Sequence, residues 1–456
     1  MQTNILYSKR WLAIAIGALM TGGLLSLILV IGRAPYINAI ITDPHFAKKC
    51  LIIHVNLTIT IWFSAFLTSL FKLIPAKKNP LLSPTMLQSV AVSGIFLLVI
   101  TLFFPGVEPV LSNYIPVLHH PLFFLGLGLF TIAVLVSFFD TRLLQTDAVR
   151  STDAFSFPPQ AFFGIRAAIA AFFIATISFA FSWYLLDKDL LPELYFELLF
   201  WGGGHVLQFA NILAMLVVWI FLVRAVSGKL FITPKWAGIL FTLFILPLVA
   251  APYFAAQIEN RDAYLHNFTS LMQWGIFPIV LIFMMLAIKT MVTATDQNQD
   301  TKGNKSAHYG FWASVLLTIT GFILGAFIQG PDTMVPAHYH AAIGGVTVAF
   351  MAMSYELFSV YSLEIPTAQL KRLSVWQPVL YGTGQFLLAG GLAYARMLRK
   401  VYGEEQIIHS FSQKLGLGIM GIGGLLAVSG GVLFVWIALR TWFSGKKIYV
   451  SDAKIA

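Results

Sequence analysis

Apolar runs of about 20 residues, the length a helix needs to cross a bilayer, recur along the whole chain. Short polar stretches separate them. Taken as helices, the runs fall near residues 11–32, 50–74, 86–105, 117–139, 162–186, 194–224, 236–255, 265–292, 308–329, 337–362, 375–395 and 414–441. The pattern predicts an all-α polytopic membrane protein with twelve transmembrane helices. No window reads as a soluble domain and no repeat stands out, so residues 1–456 are expected to form a single transmembrane domain. The longest linkers, Asp140 to Ala161 and Thr293 to Ala307, are polar and short. The first run, Trp11 to Gly32, is longer than a signal-peptide core and lacks a small-x-small cleavage site, so it reads as a retained helix.

Composition agrees. Hydrophobic residues make up 58% of the 456 and charged residues 11%, too few to clothe a water-soluble surface at this length. The single cysteine, Cys50, excludes an internal disulfide framework and any cysteine-held metal or iron–sulfur centre.

The +10 net charge is a signal of topology more than of a polyanionic partner. With an even number of spans both termini share one side. That side collects Lys9 and Arg10, then Lys72, Lys77 and Lys78, then Arg142 and Arg150. Arg224, Lys229 and Lys235 continue the series, followed by Lys289, Lys302 and Lys305, then Lys371 and Arg372, then Lys446 and Lys447. The opposite loops include "GVEPVLSNYIP" and "DKDLLPELYFE", which are uncharged or acidic. Basic loops stay inside, so the N and C termini are expected in the cytoplasm, and no nucleic-acid partner is implied. Two outer loops break the pattern: Arg33 with Lys48 and Lys49, and "ARMLRK" with Arg396, Arg399 and Lys400.

Histidine placement adds candidate chemistry. In this topology nine of the ten histidines lie in outer loops or outer halves of helices, and His308 alone is cytoplasmic. A lone histidine at such a depth is most simply an interfacial ring, or one satisfied by a backbone carbonyl. Several at one depth point instead to a site, since ionisable side chains are costly inside a bilayer. Neutral imidazole binds haem iron, copper and zinc. The pair His338 and His340 opens the tenth helix, and residues two apart on a helix point about 200° away from each other. The two cannot ligate one metal from a regular helix, but they can serve two centres, one on each side of it. His54 lies at a depth to partner one of them, and His205 to face the other.

The stretch "DTMVPAHYHAAIGGVTVAFMAM" resembles the tenth helix of subunit I of the haem–copper oxidase superfamily, with its aspartate-threonine turn and Ala-His-aromatic-His. "HVNLTITIWFSAF" is similar to that family's second helix, and "LFWGGGHVLQFANILAM" looks like its sixth, with tryptophan four residues before a histidine. The resemblance implies a twelve-helix subunit I-like bundle of the cbb3-type oxidase or nitric oxide reductase branch. It implies two haems, b-type in this branch: His54 and His340 would be the axial pair of a low-spin haem, and His338 the proximal ligand of a high-spin haem. His205 would bind a non-haem metal, copper or iron, and Arg396 and Arg399 would meet haem propionates. Function follows as an expectation: a terminal oxidoreductase of a respiratory chain in the bacterial inner membrane, reducing O2 or NO. A membrane-anchored cytochrome c-type subunit would deliver electrons. Tyr253, Tyr264, Tyr339 and Glu197 stand as candidates to carry protons or to support the ligands, beside interfacial and packing roles for each.

The sequence also departs from the family. The adjacent histidine pair expected near the end of helix 7 is missing from "LPLVAAPYFAAQIENRDAYLHNFTSL", where His266 is the one candidate ligand. The chain's His-His, His119-His120, opens helix 4 instead. Leu207 and Phe209 occupy the places after His205 where acids or a tyrosine are found in the family. One histidine is a poor copper site, since two or three ligands are needed to hold geometry. Two alternatives therefore stay open. The first is a divergent haem protein without the second metal, which binds or senses gas or transfers electrons. The second is a transporter, with "GGG" at 202–204 marking a broken helix.

Overall fold

The computed structural model describes residues 2–31, 43–75, 82–144, 157–297, 304–330, 332–396 and 410–444. Twelve long helices carry almost all of them: α1 (Gln2–Ile31), α2 (Pro44–Leu73), α3 (Pro84–Phe103), α4 (Pro121–Phe138), α5 (Pro159–Leu185) and α6 (Pro192–Ser227), then α7 (Pro234–Ala256), α8 (Arg261–Gln297), α9 (Lys305–Ala326), α10 (Met334–Val360), α11 (Ala368–Ala395) and α12 (Phe411–Ser444). Eleven are long and apolar enough to cross a membrane. The remaining helix, α11, has the length but carries Lys371, Arg372, Gln377 and Gln385. Side chains such as Trp274 and Val249, 74% and 72% exposed, lie on the outside of apolar helices, as a lipid-facing surface requires. The chain is a polytopic helical membrane protein.

Each helix from α2 to α7 opens on proline, which presets φ and lacks the N–H that a first turn would leave unbonded. These helices therefore start up to a turn or more before the apolar windows do. The exception is α4, expected from residue 117. Residues Val117–His119 form a strand, β2, antiparallel to β1 (Glu108–Val110), and the helix begins only at Pro121. His120 caps it, its Nδ1 accepting from the Leu122 N–H at 3.2 Å. Inside α2, the six residues Asn56–Ile61 form a π-helical turn that starts two residues after His54.

Two compact units make up the described chain: residues 1–220 with 230–288, and residues 221–229 with 289–456. In the first, α3 and α4 cross at reciprocal glycines. A Cβ on Gly94 would lie 2.6 Å from the Gly126 carbonyl, and one on Gly126 would lie 2.7 Å from that of Gly94. One end of this unit is tied by buried charge. Lys72 and Arg142, read from sequence as loop cations, both pair with Asp140 and are almost fully buried. Lys72 Nζ also donates to the Ser137 carbonyl at 2.8 Å. Arg142 donates to the Ile74 carbonyl at 2.6 Å and to Asn4 Oδ1 at 2.8 Å. Two of the cations assigned to topology are thus structural, knitting the ends of α1, α2 and α4.

In the second unit, α11 and α12 pack backbone to backbone through small residues, the mode that gives membrane helices their close contact. Gly384 and Gly391 face Ala427 and Gly416, with no room for a Cβ. The α9–α10 crossing works the same way at Gly310, Gly321 and Gly345, where Ser314 donates to the Gly345 carbonyl at 2.7 Å.

Adjacent glycines give a paired prediction. At Gly391 a Cβ would lie 2.4 Å from the Met420 backbone nitrogen, whereas Gly390 has nothing within 4 Å. Gly391→Ala should lower the thermal midpoint in detergent, and Gly390→Ala should hold or raise it, by up to about 1 kcal/mol from helix propensity. Asp140→Asn, which leaves two buried cations without a counter-charge, should cost about 3–5 kcal/mol in the same assay.

Candidate functional site

Three histidines in the helix bodies share one arrangement. His54 Nδ1 lies 2.7 Å from the Gly22 carbonyl of α1. His205 Nδ1 lies 2.7 Å from the Trp201 carbonyl one turn earlier in α6. His338 Nδ1 lies 2.8 Å from the Gly321 carbonyl of α9. A carbonyl can only accept, so each Nδ1 carries the proton and the lone pair of the neutral ring sits on Nε2. This is the tautomer of a histidine whose Nε2 ligates a metal, with the other nitrogen oriented by a carbonyl. His120 shows the contrast, because its Nδ1 accepts from a helix N–H.

Glycine makes two of these seats. A Cβ on Gly22 would lie 2.6 Å from Thr58, one turn past His54. Gly325 lies under the His338 ring, where a Cβ would be 2.9 Å from Nδ1 and 3.0 Å from Cε1. Two residues on, His340 is exposed. Helix geometry thus turns one imidazole of the pair onto α9 and the other away from it.

His205 is buried among aromatic rings: Tyr114 and Trp201 at 4.7 Å each and Phe268 at 6.2 Å between centroids. The glycines before it do not break α6, which runs unbroken from Pro192 to Ser227. Each instead seats an aromatic side chain. A Cβ on Gly202 would meet Phe268 at 2.6 Å, on Gly203 Phe179 at 2.3 Å, and on Gly204 Tyr114 at 2.4 Å. The broken helix that favoured a transporter is therefore absent at this position.

The other candidates are placed as follows. His266 is exposed and shares a 3.3 Å contact with Ser270, while Phe268 is the residue α8 directs at His205. The structure does not bring His266 to His205. Among the described residues no group of three or more His, Cys, Asp or Glu side chains is placed to hold a metal ion. Arg396 caps α11 in the left-handed region, at φ 40°, and reaches Gln329 Oε1 at 3.0 Å and Asp332 at 3.7 Å. Asp332 also accepts from the Met334 N–H at 2.8 Å, so the Asp-Thr turn and Arg396 join the start of α10 to the end of α11. Arg399 lies outside the described residues. Tyr264 is buried and donates to the Leu198 carbonyl at 2.8 Å, a packing role, and Tyr253 is exposed. The Tyr339 ring lies 5.8 Å from that of His338. Glu197 binds the loop before β2, accepting from the Asn113 N–H at 2.7 Å and its side-chain amide at 2.6 Å.

Sequence reasoning missed Tyr114, Asn113 and the seating glycines. The glycines on helices facing a histidine were the available signal, but only helix pairing shows which histidine each serves.

No family model matches this chain. It is 28% identical to an uncharacterized protein of Rickettsia prowazekii (strain Madrid E), over 96% of each chain. It is 27% identical to an uncharacterized protein of Aquifex aeolicus (strain VF5), over 76% of this chain and 83% of the other.

The His338 seat is testable directly. Gly325→Ala should shift the ring and weaken its bond to Gly321, raising carbethoxylation of His338 by diethyl pyrocarbonate as read by peptide mass spectrometry. Gly330→Ala, with nothing within 4 Å of its Cβ, should leave that rate unchanged.

Proposed function

We propose that the chain is a haem-carrying membrane oxidoreductase that passes electrons from a low-spin to a high-spin haem and reduces O2 or NO. Its twelve helices would span the bacterial inner membrane with both termini in the cytoplasm. The observation that carries this reading is the shared tautomer of His54, His205 and His338, with Nδ1 spent on a carbonyl and Nε2 holding the ligand electron pair.

The Nδ1–carbonyl contacts of His54 and His338 support haem ligation through Nε2. His54 and His340 would hold the low-spin haem, as the resemblance assigns them, and His338 the high-spin haem. Haem iron supplies one-electron transfer and gas binding, and the protein tunes it through axial ligands and their hydrogen bonds. In that role the Gly22 and Gly321 carbonyls fix ring planes and raise imidazole basicity. Arg396 and Arg399 would meet the propionates, Arg396 being steadied by Asp332. A membrane-anchored cytochrome c-type subunit is the proposed electron donor.

A non-haem metal does not fit. Among the described residues His205 is its single internal ligand, closed in by aromatic rings, and His266 is exposed. No step is assigned to copper. The same observation favours a second reading, in which the protein binds gas or transfers electrons without turnover.

Reduced-minus-oxidised spectra with and without CO, with iron and copper measured per chain, test both. The proposal expects two haems, one of them CO-reactive, and no stoichiometric copper. His340→Ala should remove the low-spin spectrum and keep part of the CO response, while His338→Ala should do the reverse. One haem, or no CO-reactive haem, contradicts the oxidoreductase. A chain free of haem contradicts both readings.

A further inference from the structure

The segment between β1 and β2, residues 111–116, is held from two helices. Asn56, two residues past His54, donates to the Pro116 carbonyl at 2.8 Å. Glu197, two turns before His205, accepts both donors of Asn113. Between these anchors Tyr114 sits at φ 67°, in the left-handed region that a tyrosine rarely adopts. Such a conformation persists where its surroundings over-determine it, and such places cluster at functional sites. The ring that this backbone delivers lies on Gly204 and packs against the imidazole of His205 and the indole of Trp201, 6.1 Å from the latter.

We propose that Tyr114 is the positioning residue of His205: its ring fixes the plane of the imidazole and shields it, and Glu197 holds it there through Asn113. The functional meaning rests on the proposed oxidoreductase, of which His205 carries one of the three shared tautomers. The geometry itself involves no haem. Among the described residues His205 has one hydrogen bond, at Nδ1 to its own helix, and that bond leaves rotation about the side chain to be limited by neighbours. Trp201 comes from the same helix and moves with it. Tyr114 is brought from outside α6, clamped by a carboxylate of α6 itself, so ring and imidazole keep register. Asn56 extends the support to the π-helical turn beside His54.

Site-resolved carbethoxylation by diethyl pyrocarbonate, which attacks the unprotonated imidazole nitrogen, reads the shielding in the full-length protein in detergent. Tyr114→Gly removes the ring while accepting the positive φ, so it separates the ring's role from backbone strain. It should raise the rate at His205 about tenfold, the change expected when an aromatic pair no longer holds the site closed. Glu197→Gln should raise it in the same direction. Tyr114→Phe should restore the wild-type rate, and His338 should keep its rate in all three. If Tyr114→Gly leaves His205 as unreactive as wild type, or Tyr114→Phe is as reactive as Tyr114→Gly, the proposal fails. A wild type without haem defeats the proposed function on its own test and leaves this result readable, because the reagent reports on the imidazole alone.

Discussion

An imidazole nitrogen placed inside an apolar bundle must find its hydrogen-bond partner within the protein, because lipid offers none. In this chain three of them find a helix carbonyl. The constraint reaches beyond the rings. A carbonyl already engaged in a helix can be approached by a side chain from a neighbour only where the backbones come close, and Gly22, Gly321 and Gly325 permit that approach. The α1–α2 and α9–α10 contacts are therefore positioned by the same residues that set the tautomers. Packing and candidate chemistry share one cause.

His205 meets the constraint differently. Its acceptor is in its own helix, and its orientation comes from rings seated on three successive glycines. These glycines bring three other segments of the first unit onto α6, through Phe268, Phe179 and Tyr114. At the far end of α2 and α4 the ties are ionic, with Lys72 and Arg142 sharing Asp140. Breaking a buried group of this kind by removing its anion is costly, so it fixes the helix ends more firmly than exposed loop charges would.

Much of the fold was legible from apolar run length alone, since only a helix satisfies its own backbone in lipid. The helix starts were readable too, in the prolines of α2 through α7, although the apolar windows began later. What misled were residues with two physical uses. The run from 117 onward hid a short strand before Pro121, because strand and helix are equally apolar there. Gly202–Gly204 suggested a break and instead seat aromatics. Lys72 and Arg142 suggested loop charge and instead pair with Asp140. Of the site, the opposite facing of His338 and His340 followed from helix geometry. The carbonyl partners and the reach of Tyr114 to His205 depend on pairings between distant segments, which no local pattern encodes.

The central claim is that His54 and His338 are oriented as Nε2 ligands for haem iron. Electron paramagnetic resonance of the oxidised, purified protein tests it most directly, since axial ligation sets the spin state of ferric haem. The account predicts a low-spin ferric signal of bis-imidazole character that disappears in His54→Ala and survives in His205→Ala. A protein with no haem signal, or a low-spin signal indifferent to His54, would contradict it.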